Sequence, residues 1–167
     1  MINQKIAKQI LDQVHFEFQS ERQYIAMEMY FKKLDLNGYA ELFHDYALEE
    51  RKHAFDMLTF LDDCNCDTTI TAEKQEIINN FSSPAHLFEV ALEHEKKVTK
   101  AISDIHKNAH KLEDFTSVNF LNKYLEEQVE EEDKMQERLM RLKLAGTNTS
   151  AILLLDHEQI RGRCLNE

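Results

Sequence analysis

The chain has 167 residues, with 31 Asp and Glu against 20 Lys and Arg, a formal charge of −11, three Gly and one Pro. That length suits one domain able to bury a real core. The scarcity of Gly and Pro excludes the tight reversals of an all-β sandwich and the repeated loops of an α/β sheet. The acidic balance argues against a nucleic-acid binder and favours metal cations as partners. The N-terminus, Met1-Ile2-Asn3-Gln4-Lys5-Ile6, has no apolar targeting run. No stretch approaches the roughly 18 apolar residues of a membrane span, so a soluble, cytoplasmic protein without a membrane partner is expected. Cys64, Cys66 and Cys164 are odd in number and contain no Cys-x-x-Cys, so they signal neither a disulfide framework nor a zinc site.

Helical periodicity predicts an all-α fold with helices at about 3–33, 38–65, 84–111, 115–145 and 149–164 in one domain spanning 1–167. The links Leu34–Gly38 and Lys111–Asp114 are short, which makes two antiparallel hairpins. Ser83-Pro84 opens the third helix as cap and first-turn proline, and Ala145-Gly146 closes the fourth. Between Cys66 and Ser83 lies a long link. About 17 extended residues reach roughly 55 Å, enough to travel the ~42 Å of a 28-residue helix. A four-helix bundle with one long crossover between helices 2 and 3, plus a short fifth helix, is therefore expected.

The apolar stripes of these helices are interrupted at mid-length. Ile6, Ile10 and Val14 lead to Glu17, with Tyr24 further along the same face. Tyr39, Phe43, Tyr46, Glu50, His53, Met57 and Phe60 form a heptad seam with a polar middle. Glu50-x-x-His53 is weak evidence alone, because Glu41-x-x-His44 repeats it off the seam, where it reads as solvated surface. In the third helix Glu95 interrupts Phe88, Ala91, Val98, Ile102, Ile105 and Ala109, whereas Glu93 faces outward, spaced to pair with Lys97. In the fourth, Val118, Leu121, Leu125 and Gln128 lead by Glu131 or Glu132 to Met135, Leu139 and Leu142. Periodicity leaves those two glutamates open.

An isolated buried carboxylate costs several kcal/mol even after relaxation. A fold only about 5 to 15 kcal/mol stable cannot absorb four of them, and the clear seams carry no Lys or Arg to pair with them. A multivalent cation resolves the conflict. Carboxylates with one imidazole and no thiolate suit a pair of iron or manganese ions better than structural zinc. Carboxylate di-iron bundles take one Glu from each of two helices and Glu-x-x-His from each of the others. Glu17 and Glu95 fill the single positions and Glu50-x-x-His53 one pair, but the last helix has Gln128-x-x-Glu131. One metal position thus lacks an imidazole and is expected to bind more weakly.

Over essentially its whole length the sequence resembles the ferritin family, and within it the non-haem bacterial ferritins. The resemblance rests on Glu17 with Tyr24, Glu49-Glu50-x-x-His53, Glu95-Lys96-Lys97-Val98-Thr99, Asn119-Phe120-Leu121 followed by Glu127-Gln128-x-Glu130-Glu131, and Lys143-Leu144-Ala145-Gly146. It implies that Glu131 is the seam ligand. It further implies that Glu17, Glu50 and His53 bind a first iron and that Glu50, Glu95 and Glu131 bind a second. Gln128 would sit beside the centre, and Tyr24 would hydrogen-bond near it and supply an electron. Glu49, Glu127 and Glu130 match a third iron site leading to a cavity.

Arg51-Lys52 and Gln128-x-x-Glu131 replace the haem-ligating Met and second Glu-x-x-His of bacterioferritins, so no haem is expected. The crossover lacks the helix of small DNA-protecting ferritins, and no rubredoxin-like Cys-x-x-Cys is present. The function implied is a ferroxidase and iron-storage subunit, oxidising Fe(II) with O2 or H2O2 and forming a homo-oligomeric cage of 24 chains. The alternative is a non-catalytic shell or interaction subunit of a mixed assembly. Glu21 and Glu28 share the Glu17 face and read as solvated. Cys64 and Cys66 read as free thiols, and His94, His106 and His110 are candidates for lining an iron channel.

Overall fold

The computed structural model describes residues 2–72 and 76–164, with side chains as far as residue 160. Met1, part of the N-terminal reading, and the Cys164 side chain lie outside the described residues. The five helices are α1 Gln4–Lys33, α2 Asn37–Asp63, α3 Pro84–Lys111, α4 Phe115–Ala145 and α5 Thr149–Cys164. α1 pairs with α2 and α3 with α4; α1 also lies against α3, and α5 rests on α2 and α4. The result is a four-helix bundle with a short fifth helix. No helix among the described residues is long and apolar enough to cross a membrane.

Three of the helices end without a glycine. Leu36 N–H bonds Phe31 C=O at 3.1 Å and Asp35 N–H bonds Lys32 C=O at 3.2 Å. The same pair recurs as Cys66 to Leu61 (2.9 Å) with Asn65 to Asp62 (2.8 Å), and as Asp114 to Ala109 (3.0 Å) with Glu113 to His110 (3.1 Å). This Schellman arrangement needs a left-handed residue, and Asp35, Asn65 and Glu113 each take φ 55°. Asn65 stops α2 at Asp63, two residues before the expected limit. Gly146, at φ 57° and ψ −123°, occupies a region that only glycine enters readily.

Helix starts are capped from near and far. Ser83 accepts from His86 N–H at 3.1 Å, with Pro84 in the first turn. Asp114 accepts from Ser117 N–H at 3.1 Å and, on its other oxygen, from Asn3 N–H at 2.8 Å, tying the starts of α4 and α1 together. The cap residue of α2 is Leu36, which offers no side-chain acceptor. Asp156 of α5 takes over that role, accepting from Tyr39 N–H at 2.8 Å. Gly38 permits the approach: a Cβ there would lie 2.0 Å from the Asp156 carbonyl oxygen.

The crossover follows α1. Gln4 reaches the Cys66 Sγ, Gln19 donates to Glu76 C=O at 3.3 Å, and Gln23 exchanges two 2.9 Å bonds with the Ile78 backbone. Phe81 then meets Tyr30 edge-on at 5.3 Å. Gln4 to Tyr30 is about 39 Å of helix at ~1.5 Å per residue, so the link does travel the bundle and starts α3 beside the end of α1. Its described part contains no helix.

The apolar interior is split in two. One cluster is aromatic, built on Tyr24, Phe31, Tyr39, Phe43 and Phe88, with Phe31 stacked on Tyr39 at 5.1 Å. The other is mainly aliphatic, with Ile6, Ile10, Val14, Met57, Leu61, Ile102 and Leu121. Between them all four long helices place polar side chains.

The α5 contact yields a prediction. Gly38→Ala forces α5 away from α2 and costs about 1 to 3 kcal/mol, as overpacking does. Asp156→Ala removes the cap and costs about 1 kcal/mol. Chemical denaturation checks both, and the double variant should lose less than the sum because both changes act on one contact.

Candidate metal centre

Each helix delivers its polar residues to the belt between the clusters by simple periodicity. On α1, Glu17 follows Val14 by one turn, and on α2 Glu50 and His53 occupy the seam between Ala47 and Met57. On α3, Glu95 stands between Ala91 and Val98, and on α4 Gln128 and Glu131 stand between Leu121 and Met135. All six are buried, Glu17 and Glu95 to 1% exposure. Of the two glutamates left open by periodicity, Glu131 is the buried one. Glu132 is half-buried and accepts from the Thr99 hydroxyl at 2.6 Å.

Glu17, Glu50 and His53 converge, each offering one ligand atom within 4.8 Å of the others. Gln13 donates to Glu17 Oε1 at 2.9 Å, and His53 Nδ1 stands 3.6 Å from Glu50 Oε2. Glu95 is held from two sides: the Tyr24 hydroxyl donates to Oε1, and the Gln128 amide donates to Oε2 at 2.9 Å. Glu131 Oε1 accepts from Lys134 Nζ at 2.7 Å. The Tyr124 ring meets the His53 ring edge-on at 5.4 Å.

The electrostatics follow from this burial. Desolvation, reinforced by the facing Glu50, pushes the Glu17 carboxyl well above its usual range. Burial pushes Glu50 up to about 7, partly countered by its hydrogen bond with Glu17. Burial also pushes Glu95 up to about 8 against the stabilising Gln128 amide. Among the described residues, the buried oxygens Glu17 Oε2, Glu50 Oε2, Glu127 Oε2 and Glu131 Oε2 have no hydrogen-bond donor. Buried acceptors of this kind are costly alone and are suited to a hard cation.

The remaining candidates scatter more widely. Glu127 Oε2 lies 3.5 Å from His53 Nε2 at the edge of the belt, whereas Glu49 and Glu130 are exposed. Among the described residues these three do not gather into a cluster of the kind that Glu17, Glu50 and His53 make. His94 shares a 2.7 Å hydrogen bond with Ser20. His106 bonds Asn122 at 3.0 Å, and His110 meets Phe115; the three histidines are spread down α3 and do not converge. Cys64 and Cys66 are free and half-buried.

Several surface readings need correction. Glu28 is buried rather than solvated, because Lys32 and His44 both reach its carboxylate, His44 at 3.2 Å. Glu21 pairs with Arg51 at 3.1 Å across the hairpin. Glu93 pairs with Lys96 at 2.8 Å, one residue closer than Lys97, since either spacing lies on one helix face. The seams also hid three participants: Tyr124, buried where the stripe pointed to half-buried Leu125; Thr99, which accepts from Gln128 at 3.2 Å; and Lys134. Tyr124 falls four residues before Gln128, a spacing that could have revealed it.

A ferritin-like domain model matches residues 7–145. The chain belongs to the ferritin family. It is 28% identical over 158 residues to a bacterial non-heme ferritin of Staphylococcus aureus (strain USA300), covering 95% of each chain. A probable bacterial non-heme ferritin-like protein of Haemophilus influenzae is 27% identical over 158 residues with the same coverage. An open pore ferritin from the archaeon Archaeoglobus fulgidus superimposes with a TM-score of 0.91 at 32% identity, over 95% of this chain and 98% of that one.

The raised carboxyl groups give this ferritin chain a definite pH dependence. Folded-state values for Glu17, Glu50 and Glu95 exceed the ordinary value of 4.5, so between that value and about 8 the native state binds more protons than the unfolded chain. Stability of the metal-stripped protein therefore falls as pH rises through this window. Melting temperatures at pH 5, 6.5 and 8 should decline in that order. Saturating Zn(II) should flatten the decline by exchanging ions for protons. A rising series would contradict the assignment of these groups.

Proposed function

We propose that this ferritin subunit stores iron and oxidises it at a mid-bundle centre before storage. The observation that carries this reading is the belt itself. Four helices bring four carboxylates and one imidazole into the core, and three of those carboxylates keep a buried oxygen without a donor. In the proposed centre Glu17, Glu50 and His53 take one Fe(II), and Glu50, Glu95 and Glu131 take the second, with Glu50 between them. Each Fe(II) gives up one electron. O2 accepts two electrons and two protons and leaves as H2O2; where H2O2 is the oxidant, two waters leave instead. Carboxylates favour the product because Fe(III) carries the higher charge.

The surrounding residues orient these ligands. Tyr24 and Gln128 fix Glu95 from opposite oxygens, Gln13 fixes Glu17, and the Tyr124 ring limits how His53 turns. Glu127, beside His53, and the exposed Glu49 and Glu130 offer a third site and an outward path for ferric product. The cytoplasmic cage of 24 chains belongs to the same proposal, supported by family membership and by the likeness to the open pore ferritin. Such a cage would supply the space for mineral.

Stopped-flow mixing of Fe(II) with aerobic buffer tests the centre. Glu50→Ala combined with His53→Ala should abolish the fast rise in ferric absorbance at two Fe(II) per chain, a loss of about 100-fold or more, since losing a residue that merely orients a ligand already costs about 10- to 100-fold. A fast phase that survives would place oxidation elsewhere. Anaerobic Fe(II) titration separates the shell-subunit alternative, which requires that tight binding does not saturate near two or three ions per chain.

A further inference from the structure

Lys134 stands out among the residues around the belt. Its Nζ donates to Glu131 Oε1 at 2.7 Å, and Glu130 Oε2 lies 3.9 Å away on the outer side. A pair spaced by three residues on a helix is ordinarily a surface feature with both ends in water. Here only one end is wet: the Lys134 side chain is 43% exposed, while that of Glu131 is 10% exposed and its Oε2 is buried without a donor. The ammonium thus occupies one oxygen of a carboxylate whose other oxygen stays available. Among the described residues, no lysine or arginine pairs with the carboxylates on the Glu17, Glu50 and His53 side; those acids meet Gln13, His53 and one another.

We propose that Lys134 is a built-in placeholder for the metal ion at Glu131. Its ammonium neutralises the carboxylate until a multivalent cation displaces it, and it then swings toward Glu130 and solvent. The inference rests on the di-iron reading above. It makes the two halves of the centre unequal for a reason distinct from ligand count: the Glu17 side, with its imidazole, loads first, and the Glu131 side binds against an internal competitor. Displacement is easy because the lysine stem already lies half in water and a second carboxylate stands ready. Once product leaves, the lysine returns and the Glu131 position is reset. Lys134 is a positioning residue rather than a catalytic one, since it acts through Glu131.

Isothermal titration of the assembled, iron-stripped protein with redox-silent Zn(II) tests this at fixed pH. The wild type should show a tight and a weaker ion per chain. Lys134→Gln should tighten the weaker one about tenfold, the scale of a charge-assisted hydrogen bond lost by a competitor. Lys134→Arg, which keeps the cation, should stay near the wild type. A thermal readout separates this role from plain structure: Lys134→Gln should lower the melting temperature of the stripped protein but not that of the Zn(II)-saturated protein. Unchanged weak-site affinity in Lys134→Gln, or equal destabilisation with and without Zn(II), would overturn the placeholder. Failure of the wild type to bind about two ions per chain would instead overturn the di-iron reading itself.

Discussion

Burying several carboxylates in the middle of a helical bundle is the constraint to which the rest of this chain answers. The belt of Glu17, Glu50, His53, Glu95, Gln128 and Glu131 interrupts what would otherwise be one apolar interior and leaves an aromatic and an aliphatic cluster on either side. Each cluster must clamp the four helices independently, because the belt contributes no hydrophobic cohesion of its own. Long, unbroken helices are what let two separated clusters share the same four rods. The crossover along α1 and the caps at the helix starts then hold the rods in register.

The acids of the belt are compensated in three different ways. Glu17 and Glu50 face each other, and burial raises both carboxyl groups above their usual range, which favours a proton held on the pair. Glu95 is met by neutral donors, the Tyr24 hydroxyl and the Gln128 amide. Glu131 is met by a full positive charge. All three partners are removable: a proton can dissociate, neutral donors can follow the carboxylate as it turns, and a long lysine can withdraw. The interior therefore satisfies its acids without locking them, which is what a centre that repeatedly binds and releases a cation requires.

Much of this was legible in the sequence, because a helical seam records burial directly. The mid-length interruptions, the two hairpins and the long crossover all follow from the spacing of apolar residues and from the length of the links. What escaped depends on contacts between distant segments. Glu131 and Glu132 are neighbours on the helix, and what separates their surroundings is tertiary: Glu131 is buried in the belt, whereas Glu132 is half-buried and engages Thr99 on α3. Glu28 looked solvated because the imidazole that reaches it, His44, comes from the next helix. Lys134 lies off the stripe but has a stem long enough to bring its charge back to the belt. Gly38 reads as a turn residue, whereas its lack of a side chain serves an approach by a helix more than a hundred residues later.

That approach carries a mechanical consequence. Tyr39 and Glu50 lie on the same helix, about 17 Å apart along its axis at ~1.5 Å per residue. Because the Asp156 carboxylate grips the Tyr39 amide, α5 acts as an indexing pin for α2. A slip of one residue would advance α2 by only ~1.5 Å but rotate Glu50 by about 100°, out of the belt. Whatever presses on the outer surface of α5, a neighbouring copy included, therefore bears on the axial setting of the helix that carries both Glu50 and His53.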